Sequence, residues 1–173
     1  IPNLPDGTVA LDAVAAAVRP DDVHCPRSGL LCLENTHNGC GGVPLSPEYV
    51  GAAAAAARAA DLAVHVDGAR LVNAAVALGV RPAVLVAATD TVSLCLSKGL
   101  GAPVGSLLAG PADFICRARR LRKALGGGMR QAGVVAAAGL EALINNFVRT
   151  RDDHDNARAL SEGLAGVSGL QVD

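Results

Sequence analysis

Tryptophan is absent from the chain, and its aromatic residues amount to one tyrosine and two phenylalanines. A core built without large rings must close through small side chains, and such packing suits tight helix–sheet contacts. An excess of one charge is missing too. Fifteen Lys and Arg against sixteen Asp and Glu leave a net charge of -1, which calls for neither nucleic acid nor an anionic membrane as partner. No apolar run reaches the roughly 18–20 residues of a membrane span. The longest alanine-rich stretch, GAAAAAARAADLAVHV, is broken by Arg58 and Asp61 and reads as helix, turn and strand. Cys25, Cys32, Cys40, Cys95 and Cys116 are odd in number and show no CxxC spacing. They read as reduced thiols of an intracellular compartment, so neither a metal site nor a disulfide framework is expected. Internal repeats, low-complexity linkers and a signal peptide are also missing. The opening IPNLPDGT reads as the interior of a longer protein, whose targeting signal would lie outside these residues.

What is present is a chain of 173 residues, 51% of them hydrophobic, enough for one domain or part of one. Helices are predicted at about 10–18 (capped near Asp6 or Thr8), from Pro47 with Ser46 as N-cap, at 69–78, as a short helix started by Arg81 and Pro82, and at 112–124, 130–147 and 153–165. Strands are predicted at 30–34, 62–66, 91–96 and 104–109, and the closing GLQVD reads as the first half of another. Strands and helices alternating at this spacing predict an α/β fold: a mostly parallel sheet with helices on both faces. The last two strands are too close for a helical crossover and are expected to pair antiparallel. Ligands of such sheets gather beyond the carboxyl ends of the strands, where Glu34, Asp67 and Lys98 fall.

Lys98 follows an apolar strand, next to Ser97 and before Gly99 and Gly101, so it can reach a ligand without crowding. The plainer reading is a solvated surface lysine. Asp67 ends the strand in HVDGAR; it suits a buried cation, or it caps the helix that follows. Pyridoxal phosphate asks for this pair: a lysine to hold its aldehyde and a carboxylate to keep its pyridine nitrogen protonated. Arg70, one helical turn on, could reach the cofactor or a substrate carboxylate, or lie on the helix surface.

LENTHN at 33–38, HVDGARLVNA at 65–74, CLSKGLGAPVGS at 95–106 and RKALGGGMRQAG at 122–133 together resemble the low-specificity L-threonine aldolases. These are fold-type I pyridoxal phosphate enzymes related to the β-eliminating lyases, and the resemblance runs over about residues 1–150. It implies retro-aldol cleavage of L-threonine or L-allo-threonine to glycine and acetaldehyde. Another reaction of the same cofactor, such as β-elimination or racemisation, and an inactive fragment are the alternatives. By resemblance, Lys98 is the imine-forming lysine, Asp67 the partner of the ring nitrogen, and Arg70 and Ser97 further cofactor contacts.

His24 matches a family histidine near the substrate β-hydroxyl and would act as base, where a loop histidine making a backbone hydrogen bond is the plain alternative. Asn35 and His37, in the loop after the first strand, either line the site or do turn chemistry. His65 is expected to support Asp67, and His154 to be solvated. GGGMRQ is expected to open a helix whose N-terminus, with Arg130, could bind an anion at a neighbouring subunit's site, where a flexible turn between helices is the plain alternative. Lys123, in the basic run RARRLRK, matches a family lysine near the active site.

The resemblance further implies a cytosolic homodimer or homotetramer acting on a small β-hydroxy amino acid. It makes residues 1–150 the later part of the cofactor-binding large domain. Residues 151–173 would be a connecting helix and the start of a smaller domain. The family's phosphate-binding turn, a ring-stacking histidine and a carboxylate-binding arginine would lie outside the chain.

Overall fold

A computed structural model describes residues 1–172. Its centre is a sheet of strands β1 (Leu30–Glu34), β2 (Ala63–Gly68), β3 (Thr91–Cys95) and β4 (Ser106–Ala109), in that spatial order. The first three run parallel, and β4 returns antiparallel to β3 as the short connection requires. Period-two alternation gives the sheet two unlike faces. Leu31, Leu33, Val64 and Val66 point to one face and are buried. Cys32, His65, Asp67 and Ser93 fall on the other.

The apolar face is sealed by helices α2 (Pro47–Ala59), α3 (Leu71–Leu78) and the single turn α4 (Pro82–Leu85). Ala53, Ala54 and Ala57 of α2 are 0% exposed, so the helix backbone rides close on the valines of the sheet. Ser46 caps α2 by accepting the Tyr49 main-chain N–H at 3.2 Å, with Pro47 at the first helical position. The lone tyrosine then ties down the amino-terminal segment, its hydroxyl accepting from Val9 N–H at 2.6 Å and donating to Val9 C=O at 3.0 Å. Burial pushes that phenol up.

Helix α1 (Leu11–Ala16) is shorter than predicted, and Asp6 closes a turn onto Thr8 instead of capping it. Across the polar face, α5 (Ala112–Ala124) flanks β3 and β4, leaving a cleft lined by Ser93, Leu108, Ile115 and Arg122. Helices therefore stand on both faces.

The carboxyl-terminal part departs most from expectation. GGGMRQ forms a turn, with Gly126 at φ +90° and Gln131 at +52°, and α6 starts only at Gly133 (Gly133–Glu141). The glycines stand apart from the helix N-terminus, so their main-chain N–H groups do not form the expected anion cradle at its first turn. A π-helical turn (Ala142–Asn146) follows, then α7 (Thr150–Ala165). Residues 168–172 form no strand, and Asp173 of the expected GLQVD strand lies outside the described residues.

The parallel pairing of β2 and β3 leaves no room at Gly68, where an added Cβ would stand 2.6 Å from the Ser93 carbonyl oxygen. Gly68→Ala must push the strands apart beside Asp67 and is expected to cost about 1–3 kcal/mol, as overpacking does. A urea midpoint equal to that of the parent would refute this reading of the contact.

Candidate active site at the carboxyl edge of the sheet

Asp67 stands next to last in β2, on the polar face. Its Oδ1 accepts the Ala69 main-chain N–H at 3.0 Å and the Ser93 hydroxyl at 3.4 Å. Both bonds fall on one oxygen, which fixes the carboxylate while Oδ2 has no described partner. The cap reading and the ligand reading are thus compatible. The helix turn takes one oxygen, and the other is left to face a cation.

Lys98 follows β3 on a turn held from below. Leu96, Leu100 and Ala102 are buried against Val72 and Ala142. Gly101, at φ +73°, donates its N–H to the Lys98 carbonyl at 2.8 Å. The apolar side chains on either side of Lys98 point into the core, so the lysine itself is exposed. Just before it, the Cys95 thiol lies 3.4 Å from the Ser97 hydroxyl. That hydrogen bond, aided by the Lys98 ammonium, holds the thiol below its usual range. Cys32 goes the other way: burial, then the Asp67 charge, pushes its thiol up.

Arg70 donates through Nη2 to Asn38 Oδ1 at 2.9 Å, while its buried Nη1 has no partner among the described residues. It lines a cavity of about 220 Å³ with Thr36, Gly42, Asn73 and His154. His154 is therefore half-buried and not solvated as expected: its Nε2 lies 3.2 Å from Asn73 Nδ2. His37 sits 3.6 Å from the Glu34 carboxylate through Nε2, and its buried Nδ1 lacks a described partner.

Other expected site residues are engaged elsewhere. Asn35 is 1% exposed, and its amide is used at both ends, accepting Leu45 N–H at 3.1 Å and donating to Leu45 C=O at 3.2 Å. It clamps the 35–45 loop from a buried position, away from solvent. His65 bonds to Thr91 Oγ1 at 2.8 Å and not to Asp67, because register places it opposite Thr91 while Asp67 faces Ser93.

His24 is paired with Asp22 at 2.8 Å, its side chain 87% exposed, on the segment leading into β1; no described contact joins it to Asp67 or Lys98. Lys123 lies on α5 with Gly128 folded against its side chain, and Arg130 lies in the following turn. Sequence reasoning passed over Ser93 and Asn73. The signal for Asn73 was there, a lone polar residue within the apolar helix LVNAAVAL.

A family model described as β-eliminating lyase matches residues 1–173. The chain belongs to the β-eliminating lyase family. It is 51% identical to a protein named probable low-specificity L-threonine aldolase 2 from Arabidopsis thaliana, covering 99% of this chain and 49% of that protein. It is also 51% identical to the low specificity L-threonine aldolase of Escherichia coli K12, covering 97% of this chain and 50% of that protein. The chain spans about half the length of the curated relatives it matches. A threonine aldolase structure from Leishmania major superposes with a TM-score of 0.80 at 22% identity, covering 94% of this chain and 48% of that one, a likeness of fold.

The opposite shifts of the two thiols yield a direct check. Cys95 is expected to react with iodoacetamide at lower pH than Cys32. Ser97→Ala, by removing the largest lowering influence, should move the Cys95 reaction midpoint upward and leave Cys32 unmoved. Peptide mass mapping across a pH series reads both, and an unmoved Cys95 midpoint would contradict the assigned hydrogen bond.

Proposed function

We propose that the protein carrying this chain cleaves L-threonine and L-allo-threonine to glycine and acetaldehyde, using pyridoxal 5'-phosphate. The observation that carries this reading is the pairing of Asp67 and Lys98. They stand at the carboxyl ends of adjacent parallel strands, in a chain half-identical to proteins named threonine aldolases. The donor set suits the cofactor: Asp67 Oδ2 has no described partner to displace, and Lys98 is exposed on a turn anchored in the core.

When bound, the cofactor supplies a cationic ring that draws electrons from the substrate Cα. Asp67 would keep the ring nitrogen protonated, with Ser93 and the Ala69 N–H fixing the carboxylate's direction. Lys98 would hold the cofactor aldehyde at rest and, once released, would stand by with its amine to return a proton to Cα. Arg70, whose Nη1 lacks a partner, suits a substrate carboxylate or a cofactor oxygen. Ser97 adds a hydroxyl beside Lys98.

The β-hydroxyl proton is assigned to His24. Asp22 accepts the His24 main-chain N–H at 2.7 Å and its Nδ1–H at 2.8 Å, which leaves Nε2 as the acceptor. His37, Lys123 and Arg130 are kept as substrate or neighbouring-subunit contacts. Residues 1–150 would belong to the cofactor-binding large domain, with 151–173 leading out of it.

A cytosolic homodimer or homotetramer serving threonine breakdown and glycine formation completes the proposal. Its oligomeric part draws on Leu125, Val134, Ile144 and Val148, apolar side chains each 71% exposed or more, which contact with a second copy or with a further segment of the protein would cover.

Incubation with pyridoxal phosphate, borohydride reduction and peptide mass analysis should place a phosphopyridoxyl group on Lys98, and Lys98→Ala should remove it. His24→Ala should retain the adduct yet lower threonine turnover by about 10²–10⁴-fold, the usual worth of a proton-transfer group. Failure of the full-length protein to label Lys98, or release of 2-oxobutanoate instead of acetaldehyde from threonine, would sink the proposal.

A further inference from the structure

We propose that His154, on α7, is a positioning residue for Lys98, acting through Asn73 and Gly99; the proposal rests on the reading of Lys98 as the cofactor's lysine. The turn that carries Lys98 has two kinds of support. Leu96, Leu100 and Ala102 are held by apolar contact on the core side. Two amides approach the residues beside the lysine. Asn146 Nδ2 donates to the Leu100 carbonyl at 2.8 Å. Asn73 lies directly under Gly99, where a Cβ would stand 2.8 Å from Oδ1 and 3.4 Å from Nδ2.

Asn73 does not hold this pose alone. Its Nδ2 lies 3.2 Å from His154 Nε2, and an amide N–H can only donate there, so Nε2 carries the lone pair and the amide cannot rotate freely. That bond sets which end of the amide meets Gly99. The contact spans 81 positions of sequence and ties the last described helix to the turn of Lys98. Glycine at 99 is the complement of this arrangement, because any side chain there would collide with the amide.

The prediction concerns the direction of Lys98 and not its chemistry, so it can be read without turnover. In the cofactor-free full-length protein, His154→Ala should speed amide hydrogen exchange across residues 97–101 with the thermal midpoint little changed. On adding pyridoxal phosphate, the adduct on Lys98, followed by its visible absorbance and trapped by borohydride, should form roughly fivefold more slowly. His154→Gln, which can still accept from Asn73, should restore most of the rate. Asn73→Ala should reproduce the loss, and the double variant should be no worse than Asn73→Ala alone, because both act on one contact.

Unchanged exchange at 97–101 in His154→Ala, or additive effects in the double variant, would overturn the proposal. Should His154→Ala not fold, exchange in His154→Gln and Asn73→Ala still decides: loosening confined to Asn73→Ala supports the brace, and equal protection in both refutes it. If the parent protein forms no adduct, the cofactor reading fails, while the exchange experiment still tests the brace.

Discussion

The site depends on the strict alternation of β2. Val64, Val66 and Gly68 face the helices, while His65 and Asp67 face the open side. A carboxylate can stand at the end of this strand because its neighbours on both sides bury apolar surface, or no surface at all, on the opposite face. Shifting the strand by one residue would turn Asp67 to the face covered by Val50 and the alanines of α2, where an unpaired charge is prohibitively costly. The register also supplies the fixing hydroxyl, since Asp67 lies opposite Ser93 in β3. Position and orientation of the carboxylate thus come from one geometric fact.

Lys98 solves a different problem. A lysine that must exchange partners has to be mobile at its tip and fixed at its root. Buried leucines at 96 and 100 fix the root, one on each side. Glycines at 99 and 101 let the main chain turn sharply between them. The Asn146 amide bonds to the Leu100 carbonyl, and the Asn73 amide lies close against Gly99. Nothing described touches the ammonium except the field it shares with Cys95. Rigidity below and freedom above are what a reacting side chain on a scaffold needs.

Much of this was legible in the residues. Apolar runs ending in HVDGAR and LCLSKG mark two strands and place Asp67 and Lys98 at their carboxyl ends, and Ser46-Pro47 marks the start of α2. Strand limits move by a residue or two because ladder bonds, not hydropathy, end a strand. Two kinds of error remain. One concerns polar residues whose partners lie far away in sequence. Asn35 is consumed by Leu45, His65 by Thr91, and His154 is drawn out of solvent by Asn73; periodicity carries no information about such pairs. The other concerns residues 126–172, where few side chains are buried. There local preference competes with little packing, so glycines expected to lead into a helix form a turn and the expected closing strand does not form.

These two errors have a common root, and it bears on the way function is held. The sheet and α2–α4 pack against each other and need only local pattern to be found. The carboxyl-terminal helices reach the site by a few contacts: Ala142, Leu143 and Phe147 share an apolar cluster with Leu96 and Leu100, Asn146 bonds to the Leu100 carbonyl, and α7 lies against α3 with His154 on Asn73. A segment that buries little can still constrain strongly when its contacts reach the turn of one lysine, or a side chain next to that turn, because positioning requires direction more than area. On the proposed brace the weakly packed helices serve the site, since contacts from them reach the Lys98 turn at Leu96 and Leu100 and its neighbour Asn73.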